Sequence, residues 1–194
     1  MESSTRRIEE LDALIAALPD ILNSPRIHVP IELPGSRGKR VARASVGRLL
    51  RQLAQLEASE ETRDLPSVRR AREQYEARRE RSPERLFAKI GAELKALADG
   101  YQFFVLGIEA EDRRCFKDYM LEVSVRLEAA RLLERAGKHE LLEPARQRLQ
   151  GLDERLRPAF VPDDEPARTD GFPTDRDRHW WLYGAPRMAD DPER

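Results

Sequence analysis

The chain has 194 residues, of which 40% are apolar and 37% charged, against roughly 25% charged in an average soluble domain. Its formal net charge is −1, and Cys115 is its only cysteine, which excludes an intrachain disulfide and any multi-cysteine metal site. No apolar run reaches the roughly 20 residues that span a bilayer, and the polar start Met1-Glu2-Ser3-Ser4 leads into no signal-peptide core, so a soluble, cytoplasmic protein is expected.

Excess charge with abundant Ala, Leu, Arg and Glu points to long solvated helices. Residues 4–23 repeat Ile8, Leu11, Ile15, Leu18 and Leu22 at three- and four-residue intervals, a helical stripe that Pro19 should kink or restart. Residues 24–38 hold three prolines and two glycines and read as a connector. Within it Ile27, Val29, Ile31 and Leu33 alternate as in a strand, which Pro30 limits to an edge or a polyproline-like stretch. An edge of that kind is a candidate contact by strand addition to a partner.

A helix is expected over about 40–58, with Ala42, Val46, Leu49, Leu50 and Leu53 on one side and Arg40, Arg48 and Arg51 opposite. A third helix, over 66–81, has a thin stripe of Val68, Ala71 and Tyr75, supplemented by the pairs Arg69–Glu73 and Arg72–Glu76. Ser82-Pro83-Glu84 starts the next, and Asp99-Gly100 is suited to close it. The apolar run Tyr101–Ile108 fits a buried strand, a buried helix or an irregular core element. Over 110–136, Phe116, Met120, Val123, Leu127, Ala130 and Leu133 form the strongest stripe, ending at Gly137. Leu141, Ala145, Leu149, Leu152 and Leu156 form another over 139–157, and the two make an antiparallel hairpin.

The expected fold is therefore all-α: a helical bundle of about five or six helices over residues 1–157, with the hairpin at 110–157. Residues 158–194 follow as an irregular, acidic, proline-rich arm with 6 prolines and 9 acids.

Three sets of residues could carry function. His28, His139 and His179 show no helical pairing, and Asp118 with Glu122 lacks the Glu-x-x-His partner of a di-metal bundle. No phosphate loop, serine elbow or dinucleotide fingerprint occurs, and Cys115, next to the core-facing Phe116, reads as a structural thiol. The expectation is a non-enzyme with no cofactor and no metal site.

A basic patch is the second set. Arg37, Lys39, Arg40, Arg43, Arg48 and Arg51 crowd a stretch, residues 37–56, that holds 6 bases and no acid. Such a face could grip nucleic-acid phosphates without reading sequence, or meet an acidic protein surface. A sequence pI near 6.4 and the lack of aromatic residues before Tyr75 weigh toward protein.

The third set is His179-Trp180-Trp181-Leu182-Tyr183, which contains both tryptophans of the chain. Adjacent indoles cannot share one face, and a tryptophan left in water exposes a large apolar area, so the pair should dock. Docking in cis, onto the groove between the hairpin and the preceding helix with Phe160 and Phe172 as intermediate anchors, is favoured slightly over docking on a partner. The function expected is a protein-binding adaptor, scaffold or accessory subunit. The alternative is an accessory subunit lying along a nucleic-acid backbone. A small-molecule substrate and a membrane are not expected.

Overall fold

The computed structural model describes residues 4–35, 38–117, 119–164 and 175–187. Arg37, Asp118, Phe172 and the Met120 side chain lie outside the described residues. Helix accounts for 71% of what is described, in eight α-helices and three short 3-10 helices, accompanied by two small two-stranded sheets. The mostly all-α expectation holds. The chain divides into two compact units, Met1–Glu93 and Leu94–Arg194.

The first unit begins with α1 (Ser4–Ala16) and α2 (Leu18–Asn23). Pro19 sits in the first turn of α2, where its missing N–H costs nothing, so it restarts the helix rather than bending it. Leu11, Leu14, Ile15, Leu18, Ile21 and Leu22 are all buried.

The helix expected over 40–58 is instead a strand followed by a helix. β1 (Val29–Gly35) and β2 (Gly38–Ala44) form an antiparallel hairpin whose register runs from Val29 opposite Ala44 to Gly35 opposite Gly38. Leu33, Ala42 and Ala44 are buried, whereas Glu32, Val41 and Arg43 face solvent, so the ribbon alternates as a half-buried strand must. Gly38, at φ +118°, adopts a conformation open to glycine. Pro30 and Pro34 are an even number of residues apart, so both nitrogens point to one edge of β1, the edge a two-stranded ribbon leaves unpaired. Prolines there impair strand addition by a partner. The 3.6-residue wheel misled because Ala42 continues the stripe of the following helix by coincidence of spacing.

Ser45 ends the strand in an extended conformation, and its hydroxyl accepts from the Arg48 N–H at 3.1 Å, starting α3 (Val46–Ala58). The buried Glu93 carboxylate completes this end, accepting from Ser45 Oγ at 2.7 Å and from the Gly47 N–H at 2.9 Å. α4 (Pro66–Arg81) follows as expected, burying Val68, Ala71 and Tyr75. Its arginines are used otherwise than expected: Arg72 bonds Glu57 at 2.7 Å and Arg69 the Asp64 carbonyl at 3.1 Å.

α5 (Pro83–Glu109) starts at its proline but runs straight through Asp99-Gly100 for 27 residues. Leu94, Ala98, Tyr101, Val105 and Ile108 continue the buried stripe. Their burial offsets the roughly 1 kcal/mol that an interior glycine costs a helix. The run Tyr101–Ile108 is thus helix.

The second unit takes the rest of α5, then α6 (Arg113–Lys117), α7 (Tyr119–Ala136) and α8 (Glu143–Leu156). The single helix expected over 110–136 starts later, at Arg113, after a turn in which Glu111 has φ 55°; residue 118, between α6 and α7, lies outside the described residues. α6 lies tightly on α5: a Cβ added to Gly107 would fall 2.2 Å from Cys115 Sγ. Cys115 is half-buried, as the structural reading requires. Val123, Leu127, Ala130 and Leu133 are buried, and Gly137 at φ 75° follows the end of α7. The α8 stripe begins at the buried Leu142 rather than at Leu141, which is 43% exposed. Arg126 joins α7 to Asp153 of α8 through a buried pair at 2.7–3.2 Å.

Candidate functional site

The described residues of the basic patch come from two elements: Lys39, Arg40 and Arg43 lie on β2, whereas Arg48 and Arg51 lie on α3. The buried Glu10 of α1 takes up two of them, accepting from Arg40 Nη2 at 3.2 Å and from Arg48 Nε and Nη2 at 2.8 and 2.6 Å. The third Arg48 nitrogen, Nη1, donates to the Arg43 carbonyl at 3.0 Å. Lys39 pairs with Glu32 across the hairpin at 2.6 Å, and that bond raises its already high pKa. Through Glu10, Arg40 and Arg48 tie β2 and α3 to α1. A buried carboxylate claims charge that the sequence presents as available.

The aromatic segment is built differently. β3 (Phe160–Pro162) pairs antiparallel with β4 (Gly184–Pro186), and the Asp163 N–H to Tyr183 carbonyl bond, 2.8 Å, extends the ladder. Only glycine fits at 184: its φ is +138°, and a Cβ would fall 2.1 Å from the Val161 carbonyl oxygen. This small sheet returns residues 175–187 to the unit's core, with a 3-10 turn at Trp180–Leu182.

Trp181 and Leu182 are completely buried. The Arg126 guanidinium covers the Trp181 ring at 4.6 Å, the His179 ring meets it edge-on at 5.7 Å, and the Tyr119 hydroxyl donates to the Trp181 carbonyl. Burial pushes the Tyr119 hydroxyl pKa well above the ordinary tyrosine value, and the Asp153 carboxylate adds to the shift. His179 is itself buried; its Nδ1 accepts from the Asp175 N–H at 3.2 Å, which requires that nitrogen to be unprotonated. Its pKa is lowered, first by burial and then by Arg178 and Arg126, against the opposing pull of Glu134. The segment docks in cis, against α7.

Trp180 and Tyr183 remain half-buried and line a cleft of about 180 Å³ together with Arg157, Phe160, Pro162 and Arg176. The Arg157 guanidinium stacks over Trp180 at 4.4 Å, while Phe160 meets that indole edge-on at 4.8 Å. Phe160 also contacts Tyr119, continuing an aromatic chain through Phe104 to Tyr101 that fixes the cleft floor to the core. Arg176 lies over Tyr183 at 5.5 Å and donates to the Asp163 carbonyl at 3.0 Å and to Asp164 Oδ1 at 3.2 Å. No lining residue is a carboxylate, imidazole, thiol or serine. The walls offer aromatic faces and guanidinium donors, which can stack on and orient a bound group.

Of the aromatic set singled out from sequence, Trp180 and Tyr183 share the cleft, while His179 and Trp181 lie beneath it in the core. Arg157, Pro162 and Arg176 were not among the candidates. Their signal was arginine on both sides of an aromatic cluster, a composition that suits cation–π stacking. No group of three or more His, Cys, Asp or Glu side chains suited to a metal ion occurs among the described residues, nor does a helix long and apolar enough to cross a membrane. No protein-family model matches the chain, and no curated protein or solved structure matches it.

Proposed function

We propose that this is a non-enzymatic, cytoplasmic adaptor or accessory subunit that holds another protein through the cleft on its second unit. The observation that carries the reading is the contrast between adjacent tryptophans: Trp181 is spent on the core, whereas Trp180 and Tyr183 leave aromatic surface beside the exposed Arg157. Trp, Tyr and Arg are the residue types that dominate interface energetics, above all when a rigid base holds them in place. The cleft volume of about 180 Å³ lies below the roughly 300–1,000 Å³ of small-molecule sites. A shallow anchor for a partner's side chain suits it better than a pocket that encloses a substrate.

Affinity purification of the full chain from its native host tests this, comparing wild type with Trp180→Ala/Tyr183→Ala. At least one stable protein partner of the wild type should be lost from the variant, with the circular dichroism spectrum unchanged. The same proteins recovered with both chains would overturn the reading. Recovery of nucleic acid alone, lost on Arg43→Glu/Arg51→Glu, would favour an accessory subunit bound along a nucleic-acid backbone.

A further inference from the structure

Resting on that reading, we infer that the cleft recognises an acidic peptide segment: one carboxylate side chain taken by Arg157, with a neighbouring apolar residue or proline laid against Trp180 and Tyr183.

The two arginines of the cleft are not equivalent. Arg176 already donates to Asp164 Oδ1 and to the Asp163 carbonyl, so part of its charge and fork is occupied. Arg157 is exposed, and among the described residues no carboxylate pairs with it; its guanidinium lies over the face of Trp180 at 4.4 Å. Resting against that fixed aromatic face, the guanidinium keeps N–H donors that no carboxylate among the described residues takes up. That placement suits bidentate binding of a carboxylate and lowers the side-chain entropy lost on binding.

Volume and shape define the rest. An open cleft of about 180 Å³ is of a size to receive a side chain or two of an extended segment. Phe160, Pro162, Trp180 and Tyr183 give it apolar walls of the kind that receive proline-rich and extended peptides.

Aromatic residues with arginines also suit nucleic acid, and the local charge decides between the two. The segments that supply the cleft carry Asp163, Asp164, Asp175 and Asp177, all exposed, against Arg157, Arg176, Arg178 and Arg187. A polyanionic backbone would meet as many negative charges as positive ones. A peptide that brings one carboxylate to Arg157 avoids them.

A positional-scanning set of fluorescein-labelled octapeptides, titrated against the full chain by fluorescence anisotropy, tests the inference. Peptides with Asp or Glu beside Pro, Leu or an aromatic residue should bind best. Their Asn and Gln counterparts should bind about tenfold more weakly, as expected when a charge-assisted bidentate contact is lost. Arg157→Glu should invert the preference toward peptides carrying Lys at that position, a change that mere unfolding cannot produce. Equal affinity for Glu and Gln peptides, no binding by any peptide, or tighter binding of a labelled oligo-dT would each overturn the inference. If the purified partner is still lost in Trp180→Ala/Tyr183→Ala but retained in Arg157→Glu, the protein-binding reading stands and the acidic ligand does not. If it survives in both, the reading beneath has failed as well.

Discussion

His179 shows how one side chain couples the C-terminal segment to pH. Its Nδ1 accepts a backbone N–H from Asp175, and Glu134 Oε1 lies 3.8 Å from Nε2, so the neutral imidazole fits its surroundings. Burial and the cations Arg178 and Arg126 hold its folded pKa below the ordinary 6.5. The unfolded chain therefore binds this proton more readily than the folded one. Stability is fully present above the unfolded pKa and declines as pH falls through 6.5 toward the folded value. Urea unfolding followed at about pH 7.5, 6.5 and 5.5 should show a falling midpoint in the wild type, above the range where carboxylates titrate. His179→Gln should be less stable at pH 7.5 but flatter across the series. An equal slope in both proteins would assign the pH dependence elsewhere. Neighbouring residues of the same run are legible to different degrees. That Trp180 and Trp181 must dock follows from their size and adjacency, but which indole faces inward depends on Arg126 and Tyr119, more than fifty residues earlier in the chain, and no local pattern reports that.

At the scale of elements, the sequence is most readable where helix-breaking prolines bracket a helical stretch. Pro66 and Pro83 bracket the helix expected over 66–81, Pro144 and Pro158 bracket most of the one expected over 139–157, and α4 and α8 form there. It misleads where one glycine or one coincidence of spacing must be weighed against packing. Gly100 looks like a stop, yet Tyr101, Val105 and Ile108 carry the stripe of α5 past it; Ala42 looks helical, yet Ser45 turns the chain after a strand. Two of the glycines inside helices, Gly100 and Gly47, make this testable. A Cβ added to Gly100 meets nothing within 4 Å, so Gly100→Ala should stabilise the protein by about 0.5–1 kcal/mol through the unfolded chain. A Cβ at Gly47 would fall 2.4 Å from Glu93 Oε1, the carboxylate that caps α3, so Gly47→Ala should destabilise despite its better helix propensity. Opposite signs for the two substitutions in equilibrium unfolding are the expected outcome. A stabilising Gly47→Ala would mean that the Glu93 cap contributes little.

For the whole molecule, composition is a poor guide to where charge is available, because the acids and bases are matched locally within each unit. Glu10 takes Arg40 and Arg48 in the first; Asp153 takes Arg126 and Glu109 takes Arg155 in the second. The division into Met1–Glu93 and Leu94–Arg194 gives each unit its own buried set, and the C-terminal segment belongs to the second through Trp181, Leu182 and the β3–β4 pairing. Removing the indole should act on one unit first. Trp181→Ala deletes a fully buried ring under Arg126 and should cost about 3–5 kcal/mol, the range for large aromatic side chains in cores. Native-state hydrogen exchange locates that loss. Amides of α7, α8 and β3 should lose protection by roughly the amount of the destabilisation, while those of α1, α3 and α4 keep theirs. Equal loss in both sets would mean that the chain unfolds as one cooperative body. Undiminished protection in α7 would mean that the segment covers the helix without holding it, and would deprive the cleft of the rigid floor on which its recognition of a partner depends.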